Sequence, residues 1–257
     1  MRNDCHTDFL SLIEPARTVA IAGAGGKTTL MFYLARGCVE AGKTVITTTT
    51  THIFVPSAAQ SPFTILASMD PRLSTAASAL RKLKHVTIGL DVDAASGKLK
   101  GVDSRLIHRF RDLADVVIIE ADGAAGRPIK APEAWEPVIP PYVDLVIFVI
   151  GLDAVGQRLD EKTVFRLRRF CDITGLQDNE VITPDALVRL AYHSQGGLKG
   201  VPPHARFIVL LNKMDRLSNL QLLETIAAVF EKERPPRQGS RVVAASTITG
   251  EITVLKE

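Results

Sequence analysis

The chain has 257 residues, of which 46% are hydrophobic and 23% are charged. These proportions are those of ordinary globular proteins and exclude a disordered chain. The 31 basic and 28 acidic residues leave a net charge of +3, which is too small to indicate binding to nucleic acid or to a membrane surface.

Several features that the sequence lacks bear on where the protein works. No apolar run approaches the roughly 18 residues that span a bilayer, and residues 1–7 lack the apolar core of a signal peptide. Cys5, Cys38 and Cys171 form neither a disulfide framework nor the spacing of a metal site. We therefore expect a reduced, cytoplasmic protein that does not enter the membrane.

Short β-rich runs alternate with longer helical patterns, which is typical of a parallel sheet covered by helices. In the first part of the chain, strands are predicted over residues 18–22 and 44–50, and a helix is predicted over residues 27–41. A second helix is expected to begin at Asp70-Pro71 and to continue to Leu83. Residues 86–90 and 98–102 are expected to form a small antiparallel hairpin, with Asp103 or Ser104 capping the next helix.

The second part of the chain continues the alternation. Buried strands are predicted over residues 116–119, 144–150, 207–211 and 241–245, and helices over residues 161–173, from Thr183-Pro184 onward and over residues 219–233. No repeat or linker divides the sequence, so residues 1–257 are predicted to form one domain. The predicted fold is α/β and similar to that of P-loop NTPases, a mostly parallel, doubly wound sheet with helices on both faces and a small hairpin insertion.

A glycine-rich turn joins the first predicted strand to the first long helix, with the sequence Gly23-Ala24-Gly25-Gly26-Lys27-Thr28-Thr29. Glycines allow backbone N–H groups to point inward, and the helix start adds positive potential, so such a turn suits phosphate. We expect Lys27 to contact the β- and γ-phosphates and the Thr28 hydroxyl to bind Mg²⁺. The usual P-loop has an earlier glycine where this chain has Ile21, and the shorter loop resembles that of the Mur-type peptide ligases.

Two carboxylates follow the predicted strand over residues 116–119. Glu120 and Asp122 are two positions apart, and in an extended segment such side chains project to the same side. If this strand lies beside the first, we expect one carboxylate to hold Mg²⁺ through water and the other to orient or deprotonate the attacking water. Gly123 is expected to offer its N–H to the γ-phosphate. The alternative is an acidic strand end in a solvated loop.

The segment Asn212-Lys213-Met214-Asp215 follows a predicted strand and resembles the Asn-Lys-x-Asp motif of GTP-binding proteins. The Asp215 carboxylate would accept hydrogen bonds from N1–H and the exocyclic amine of guanine, whereas adenine presents an acceptor at N1. The Lys213 stem would pack over the base. The motif favours GTP over ATP, and the alternative is a polar turn that caps the next helix.

Four further residues are candidates for contacts with a substrate or with phosphate. Thr51 and His52 end a threonine-rich strand, at the edge where doubly wound sheets bind ligands. Arg127 and Lys130 follow the acidic segment and are candidates for gripping an anionic group. A cluster of arginines lies on one predicted helix, where we do not expect a nucleic-acid patch: Arg166, Arg168 and Arg169.

These motifs in combination resemble the YqeC family. Besides the glycine-rich turn, the resemblance rests on the Thr-His strand end, Glu120-Ala121-Asp122-Gly123, Lys130-Ala131-Pro132, residues 136–140, 151–154 and 198–202, and Leu211-Asn212-Lys213. It covers about residues 18–215. Proteins of that family are described as accessory or selenium-cofactor biosynthesis proteins for selenium-dependent molybdenum hydroxylases. The resemblance implies a nucleotide-binding maturation factor, with a molybdenum hydroxylase or its cofactor-maturation proteins as partner.

The leading hypothesis is a Mg²⁺-dependent nucleoside triphosphatase that prefers GTP and serves such maturation. One alternative is an ATP-dependent ligase or small-molecule kinase, which the Mur-like loop suggests. The other is a nucleotide-gated binding module that does not hydrolyse. Nucleotide hydrolases of this kind often work as homodimers, and the sequence leaves open both the oligomeric state and which of Glu120 and Asp122 holds the metal.

Overall fold

The computed structural model describes residues 8–217, 220–234, 237 and 239–257. Cys5 and the predicted helix start at residue 219 lie outside the described residues. The strands are β1 (Thr18–Gly23), β2 (Val45–Thr49), β3 (His52–Phe54), β4 (Thr64–Leu66), β5 (His85–Gly89), β6 (Lys98–Lys100), β7 (Val116–Glu120), β8 (Ile129–Lys130), β9 (Leu145–Gly151), β10 (Val164–Phe165), β11 (Arg206–Asn212), β12 (Arg241–Ala245) and β13 (Ile252–Lys256). The helices are α1 (Phe9–Ile13), α2 (Lys27–Glu40), α3 (Ser74–Leu83), α4 (Ser104–Phe110), α5 (Leu167–Thr174), α6 (Pro184–Tyr192) and α7 (Leu220–Lys232), with 3₁₀ turns at Leu152–Ala154 and Met214–Arg216.

Nine strands form one sheet in the order β13-β12-β11-β9-β1-β7-β2-β5-β4. Its strand pairs are parallel except at one edge, where β13 runs antiparallel to β12. β1 lies in the middle of the sheet, between β7 and β9. Ligands of open parallel sheets bind beyond the carboxyl ends of the strands, so the segments that follow β1, β7 and β2 meet at the edge where a ligand is expected.

Helices cover both faces of this sheet. Helices α1 and α2 pack on one face, against strand residues such as Val19 and Ile21. Helices α3 to α7 contribute to the core on the other face, which includes Ala20 and Ala22. All residues of β7 and β9 are buried, as expected for parallel strands that are covered on both sides. The predicted α/β class is confirmed. None of the described helices combines the length and hydropathy that crossing a bilayer would require.

The small antiparallel insertion differs from the predicted hairpin. Residues 86–90 were expected to form one of its arms, but β5 lies in the main sheet beside β2. β6 pairs antiparallel with β3 instead, and one further bridge joins Val92 to Leu99. Every residue of β5 is buried. A strand that is buried on both faces fits a covered parallel sheet better than an exposed hairpin.

Two predicted helices begin later than expected. The helix expected from Asp70 starts at Ser74, and the Asp70 carboxylate accepts hydrogen bonds from N–H groups of its first turn. The helix expected over residues 161–173 starts at Leu167, because β10 pairs with β8 just before it. β13 follows the strand that was expected to be the last. Asp103 and Thr183 are N-caps, as predicted.

Candidate functional site

The glycine-rich turn, residues 23–29, here called the phosphate loop, leaves β1 and enters α2. Gly25 and Gly26 have φ of +87° and +115°, which residues with a side chain rarely adopt. A Cβ atom on Gly25 would lie 2.3 Å from the backbone nitrogen of Gly151, and one on Gly26 would lie 2.6 Å from Nδ2 of Asn212. The loop is therefore pressed against the ends of β9 and β11, where only glycine fits.

The N–H groups of the phosphate loop fall into two sets. In the first set each N–H has an acceptor within the protein: Gly23 donates to Asp122 Oδ2, Ala24 to Val149 O and Gly25 to Arg127 O. The second set, residues 26–29, lies at the start of α2, where a helix supplies no i−4 acceptor until Leu30 donates to Gly26 O. The part of the loop suited to an anion is therefore its second half, and its first half holds the loop in place.

Lys27 lies at the base of the phosphate loop and is only 4% exposed. Its Nζ donates to Gly23 O at 2.7 Å, and it lies 3.2 Å from Asp122 Oδ1 and 3.8 Å from Glu120 Oε1. These carboxylates hold the ammonium group beside the helix start. The position suits contact with the outer phosphates of a bound triphosphate.

Thr28 and Glu120 meet at the edge of the cavity described below. The Thr28 hydroxyl donates to Glu120 Oε2 at 2.7 Å. Burial raises the pKa of Glu120 above its ordinary value, although Lys27 and the Thr28 hydroxyl both oppose that shift.

These two oxygen donors fit Mg²⁺, which usually takes few protein ligands and completes its shell with phosphate oxygens and water. The described residues contain no group of three or more histidine, cysteine, aspartate or glutamate side chains that could hold a metal by themselves. Thr28 and Glu120 are therefore suited to a metal that arrives with a phosphate ligand.

Asp122 is turned away from the cavity and is 1% exposed. Its Oδ2 lies 3.3 Å from Nζ of Lys130, so the carboxylate lies between the ammonium groups of Lys27 and Lys130. Lys130 also lies 2.9 Å from Glu136 Oε1 and donates to Gly123 O. Lys27, Asp122, Lys130 and Glu136 form a buried chain of ion pairs, here called the charge network. Of the two predicted carboxylates, Glu120 is the one that reaches the cavity.

Asn212, at the end of β11, links three loops. Its Nδ2 donates to Gly25 O at 2.8 Å, and its Oδ1 accepts from the N–H of Thr247 at 3.3 Å. The side chain is nearly fully buried. Asn212 therefore joins residues 212–215, here called the base loop, to the phosphate loop and to the segment after β12. Nothing in the sequence around Thr247 indicates this contact.

Lys213 and Asp215 differ in their surroundings. Lys213 lines the cavity, and its Nζ pairs with Asp153 Oδ2 at 2.7 Å. Asp215 lies in the 3₁₀ turn after β11 and is not among the cavity-lining residues, and its Oδ2 lies 3.4 Å from Nε of Arg216. Asp153 belongs to one of the family-like segments in the sequence, but no feature of that segment predicted its pairing.

A cavity of about 590 Å³ opens over the second half of the phosphate loop. Its wall is formed by the phosphate loop, the end of β7 and the segment that follows it, the base loop, and the β3–β6 pair. The lining residues are Gly25, Gly26, Lys27, Thr28, Thr29, Glu120, Gly123, Ala124, Ala125, Gly126, Arg127, Lys213, His52, Ile53, Phe54 and Lys98. Most of the sequence-predicted residues therefore meet at one place.

The four weaker candidates have different positions around this cavity. His52 lines it, whereas Thr51 does not, and its hydroxyl is 3.3 Å from that of Thr49. Arg127 lines the cavity, but its guanidinium donates to the backbone oxygens of Glu161 and Ala125. Lys130 is buried in the charge network.

The cavity rim includes two residues that sequence analysis did not single out. Phe54 is 74% exposed, and Nζ of Lys98 lies 4.8 Å from the centre of its ring. They lie on β3 and β6, which are paired strands of three residues each. Strands this short have no usable hydrophobic period, so the sequence offered no signal for them.

The solved structures similar to this chain include two nucleotide complexes. One, titled "Crystal structure of FlhF complexed with GMPPNP/Mg(2+)", has 12% identity and a TM-score of 0.43 and covers 94% of this chain and 70% of that chain. The other, signal recognition particle 54 kDa protein from Aeropyrum pernix K1 in complex with GDP, has 20% identity and a TM-score of 0.39 and covers 92% of this chain and 43% of that chain. Both TM-scores lie below 0.5.

Comparisons of sequence give a closer match. The family model described as "YqeC protein" matches residues 19–168. A curated relative from Escherichia coli (strain K12), described as "Uncharacterized protein YqeC", is 35% identical over 203 residues, which are 78% of this chain and 77% of the relative. The matched region includes the phosphate loop, both carboxylates and Lys130. The chain therefore belongs to the YqeC family.

Proposed function

We propose that the protein is a Mg²⁺-dependent nucleoside triphosphatase that prefers GTP and acts as an accessory factor. The observation that supports this most strongly is the convergence of three features at one cavity. These features are the N–H groups of residues 26–29, the buried ammonium of Lys27, and the Thr28–Glu120 pair of oxygen donors. Positioning and electrostatic stabilisation are what phosphoryl transfer requires of a protein.

Each residue has a defined role in this proposal. Lys27 and the N–H groups at the start of α2 stabilise the charge that develops on the transferred phosphoryl group. Asp122 is a positioning residue, because it holds Lys27 at 3.2 Å and does not face the cavity. Thr28 and Glu120 would hold Mg²⁺, which neutralises phosphate charge when bound.

The raised pKa of Glu120 leads to a pH prediction. A carboxyl whose pKa is raised keeps its proton to a higher pH, and that proton competes with Mg²⁺. The tightening of nucleotide binding by Mg²⁺ should therefore be weak in acid and should strengthen as the pH rises through the raised pKa. Calorimetric titrations with and without Mg²⁺ between about pH 5 and pH 8 would measure this.

The substitution Glu120→Gln removes the titrating carboxyl and should reduce this pH dependence to the part that comes from the terminal phosphate of the nucleotide, which also titrates near neutral pH. Thr28→Ala is the control, because it removes a neutral ligand and should weaken binding with Mg²⁺ without flattening its pH profile. The charged groups nearest Glu120 are Lys27, Asp122 and Lys130, and all three remain in both variants. An equal Mg²⁺ effect at every pH in the native protein would contradict the role of Glu120.

We assign the choice of base to Asp215, which lies three residues after Asn212. Its carboxylate would accept two hydrogen bonds from guanine, whereas Asp215→Asn presents a donor that suits the C2 carbonyl of xanthine. The variant should lose about 5- to 150-fold in GTP affinity, the cost of an unmatched hydrogen-bonding group, and should gain affinity for XTP. ATP affinity measured on both proteins is the control, and an unchanged preference for GTP would refute the assignment.

The proposed accessory role rests on the resemblance to the YqeC family, whose proteins are described as accessory or selenium-cofactor biosynthesis proteins for selenium-dependent molybdenum hydroxylases. We propose that the partner is a selenium-dependent molybdenum hydroxylase or one of its cofactor-maturation proteins, and that nucleotide binding and hydrolysis control that partnership in the cytoplasm. A homodimer would be one way to complete the site.

The proposed activity is tested by titrating the native protein with GTP and ATP and by following phosphate release with Mg²⁺. Mg²⁺-dependent GTP binding with turnover is the expected result. Tight binding without release of phosphate, even with candidate partners present, would favour a nucleotide-gated module. A preference for ATP would favour a ligase or small-molecule kinase, and absence of nucleotide binding would reject the proposal.

A further inference from the structure

A second cavity, of about 520 Å³, lies where β10 ends and α5 begins. It shares no lining residue with the cavity over the phosphate loop, here called the nucleotide cavity because the proposed function places the nucleotide there. Its basic lining residues are Arg166, Arg168 and Arg169, here called the arginine cluster. The proposed function uses none of these three residues.

Within the described part of the chain, the guanidinium groups of the arginine cluster have no carboxylate partner and no hydrogen-bond acceptor. No carboxylate lies within 4.0 Å of its guanidinium nitrogens, and no side-chain hydrogen bond involves them. The Nε atoms of Arg166 and Arg169 are buried without an acceptor. A guanidinium has five N–H donors and no acceptor, and leaving such a donor buried and unpaired is costly. The cluster is therefore short of acceptors for its hydrogen bonds.

Two aromatic rings orient one member of the cluster. The guanidinium carbon of Arg166 lies 4.6 Å from the ring centre of Phe165 and 5.8 Å from that of Trp135. An arginine held over aromatic faces keeps its plane fixed, and its N–H edges remain available for a bidentate acceptor. Arg169 lies in the first turn of α5, which Arg166 precedes as the N-cap, and both residues line the cavity.

A further positive charge lies beside the cluster. Burial lowers the pKa of Lys199, and the nearby Arg169 lowers it further. The Lys199 ammonium donates to the backbone oxygen of Glu133, and the carboxylates of Glu133 and Glu136 partly oppose the lowering of its pKa. An anion between these groups would relieve their mutual repulsion.

The acidic residues that share this cavity limit the size of such an anion. They are Glu161, Asp172 and Asp178, which are exposed, and Glu133, which is half-buried. These carboxylates oppose any anion in the cavity, and each further phosphate of a nucleic-acid strand that runs past them would add to the repulsion. The surroundings therefore favour a compact anion over a long one.

We propose that the arginine cluster binds a phosphate or diphosphate group of a small molecule, between Arg166 and Arg169, at a site separate from the nucleotide cavity. Planar guanidinium groups and phosphate oxygens match in bidentate geometry, which an isolated ammonium group does not provide. The ligand would be a second substrate or an effector that is recognised through its phosphate.

The only tryptophan of the chain is a convenient reporter of this site. Trp135 is 67% exposed and lies beside Arg166, so pyrophosphate is expected to change its fluorescence in a saturable manner. The double substitution Arg166→Gln/Arg169→Gln should weaken that binding by about tenfold or more, because it removes charge-assisted hydrogen bonds. Arg72→Gln, at an exposed arginine outside the cavity, is the matched control and should leave the titration unchanged.

Two further measurements separate this site from the nucleotide cavity. The pyrophosphate titration should survive in Lys27→Met, and the double variant should bind GTP as the native protein does. If the fluorescence change disappears in Lys27→Met or is unaltered in the double variant, the proposed site is refuted. Tighter binding of single-stranded RNA than of pyrophosphate, with the same dependence on Arg166 and Arg169, would overturn the choice of a small ligand.

If the double variant does not fold, as judged by circular dichroism, Arg169→Lys decides the question. This variant keeps the positive charge but loses the planar fork, so we expect a clear weakening of pyrophosphate binding with an unchanged GTP affinity. An Arg169→Lys protein with native pyrophosphate affinity would refute the bidentate site.

Discussion

The substitution Lys27→Met is expected to reduce nucleotide affinity by at least about 100-fold, because it removes the buried ammonium that we propose contacts the outer phosphates. Methionine keeps most of the volume of the lysine side chain, so the core around it stays filled. Asp122 retains Lys130 as a partner at 3.3 Å. The affinity for a fluorescent GTP analogue, with circular dichroism as a check of the fold, would measure the effect.

Lys98→Met is the matched control for this prediction. Lys98 also lines the nucleotide cavity, but it lies at the rim over the ring of Phe54, away from the phosphate loop. The rim variant should lose less than about threefold, as expected for a half-buried charge at the cavity rim that solvent and salt screen. Equal losses in the two variants would mean that general attraction, and not the placement of Lys27, accounts for binding.

The substitution Lys130→Met is expected to lower the free energy of unfolding by about 3–5 kcal/mol. The Lys130 side chain is fully buried and lies within 3.3 Å of carboxylate oxygens of both Asp122 and Glu136. Its removal would leave buried carboxylates that have lost a shared partner. Urea unfolding followed by circular dichroism would measure the change.

The same substitution at Lys43 provides the control. Lys43 pairs with Glu14 at 2.5 Å, but its side chain is 32% exposed, so Lys43→Met should cost at most about 1 kcal/mol. A cost at Lys130 no larger than at Lys43 would show that the charge network does not stabilise the fold. A large cost at Lys130 would show that this lysine, next to the acidic segment, has a structural role.

The sequence was sufficient where a structural signal is local. The buried strands, the helix start after Gly26 and the N-caps Asp103 and Thr183 all follow from a few adjacent residues. It was insufficient for the short pairs β3–β6 and β8–β10, since strands of two or three residues have no measurable periodicity. The predicted hairpin failed for a related reason, because a short apolar run such as His85–Gly89 fits an arm of a hairpin and a central strand equally well.

The acidic segment shows where local geometry stops being a guide. Glu120 and Asp122 were expected to project to the same side; both lie within 4 Å of Nζ of Lys27, at 3.8 Å and 3.2 Å, but only Glu120 lines the cavity. β7 ends at Glu120, so the backbone is free to turn Asp122 towards Gly23 and Lys130. Burial of Lys130 depends on Glu136 and Asp122 converging on it, which is a property of the tertiary fold and leaves no trace in the sequence pattern.

The phosphate loop illustrates a different limit. Its glycines, lysine and threonines were recognised from the sequence, but the division of its N–H groups into two sets was not. That division depends on the oxygens of Val149 and Arg127, which come from distant parts of the chain. The roles of Lys27, Thr28 and Glu120 in binding remain predictions from this geometry.

The most direct test is a crystal structure of the protein with a non-hydrolysable GTP analogue and Mg²⁺. We predict that the triphosphate lies against the N–H groups of residues 26–29, with Nζ of Lys27 within hydrogen-bonding distance of its outer phosphates and with Thr28 and Glu120 beside the metal. An analogue bound elsewhere, or a Lys27 ammonium that contacts only Gly23 O and Asp122 in the complex, would contradict the proposed site.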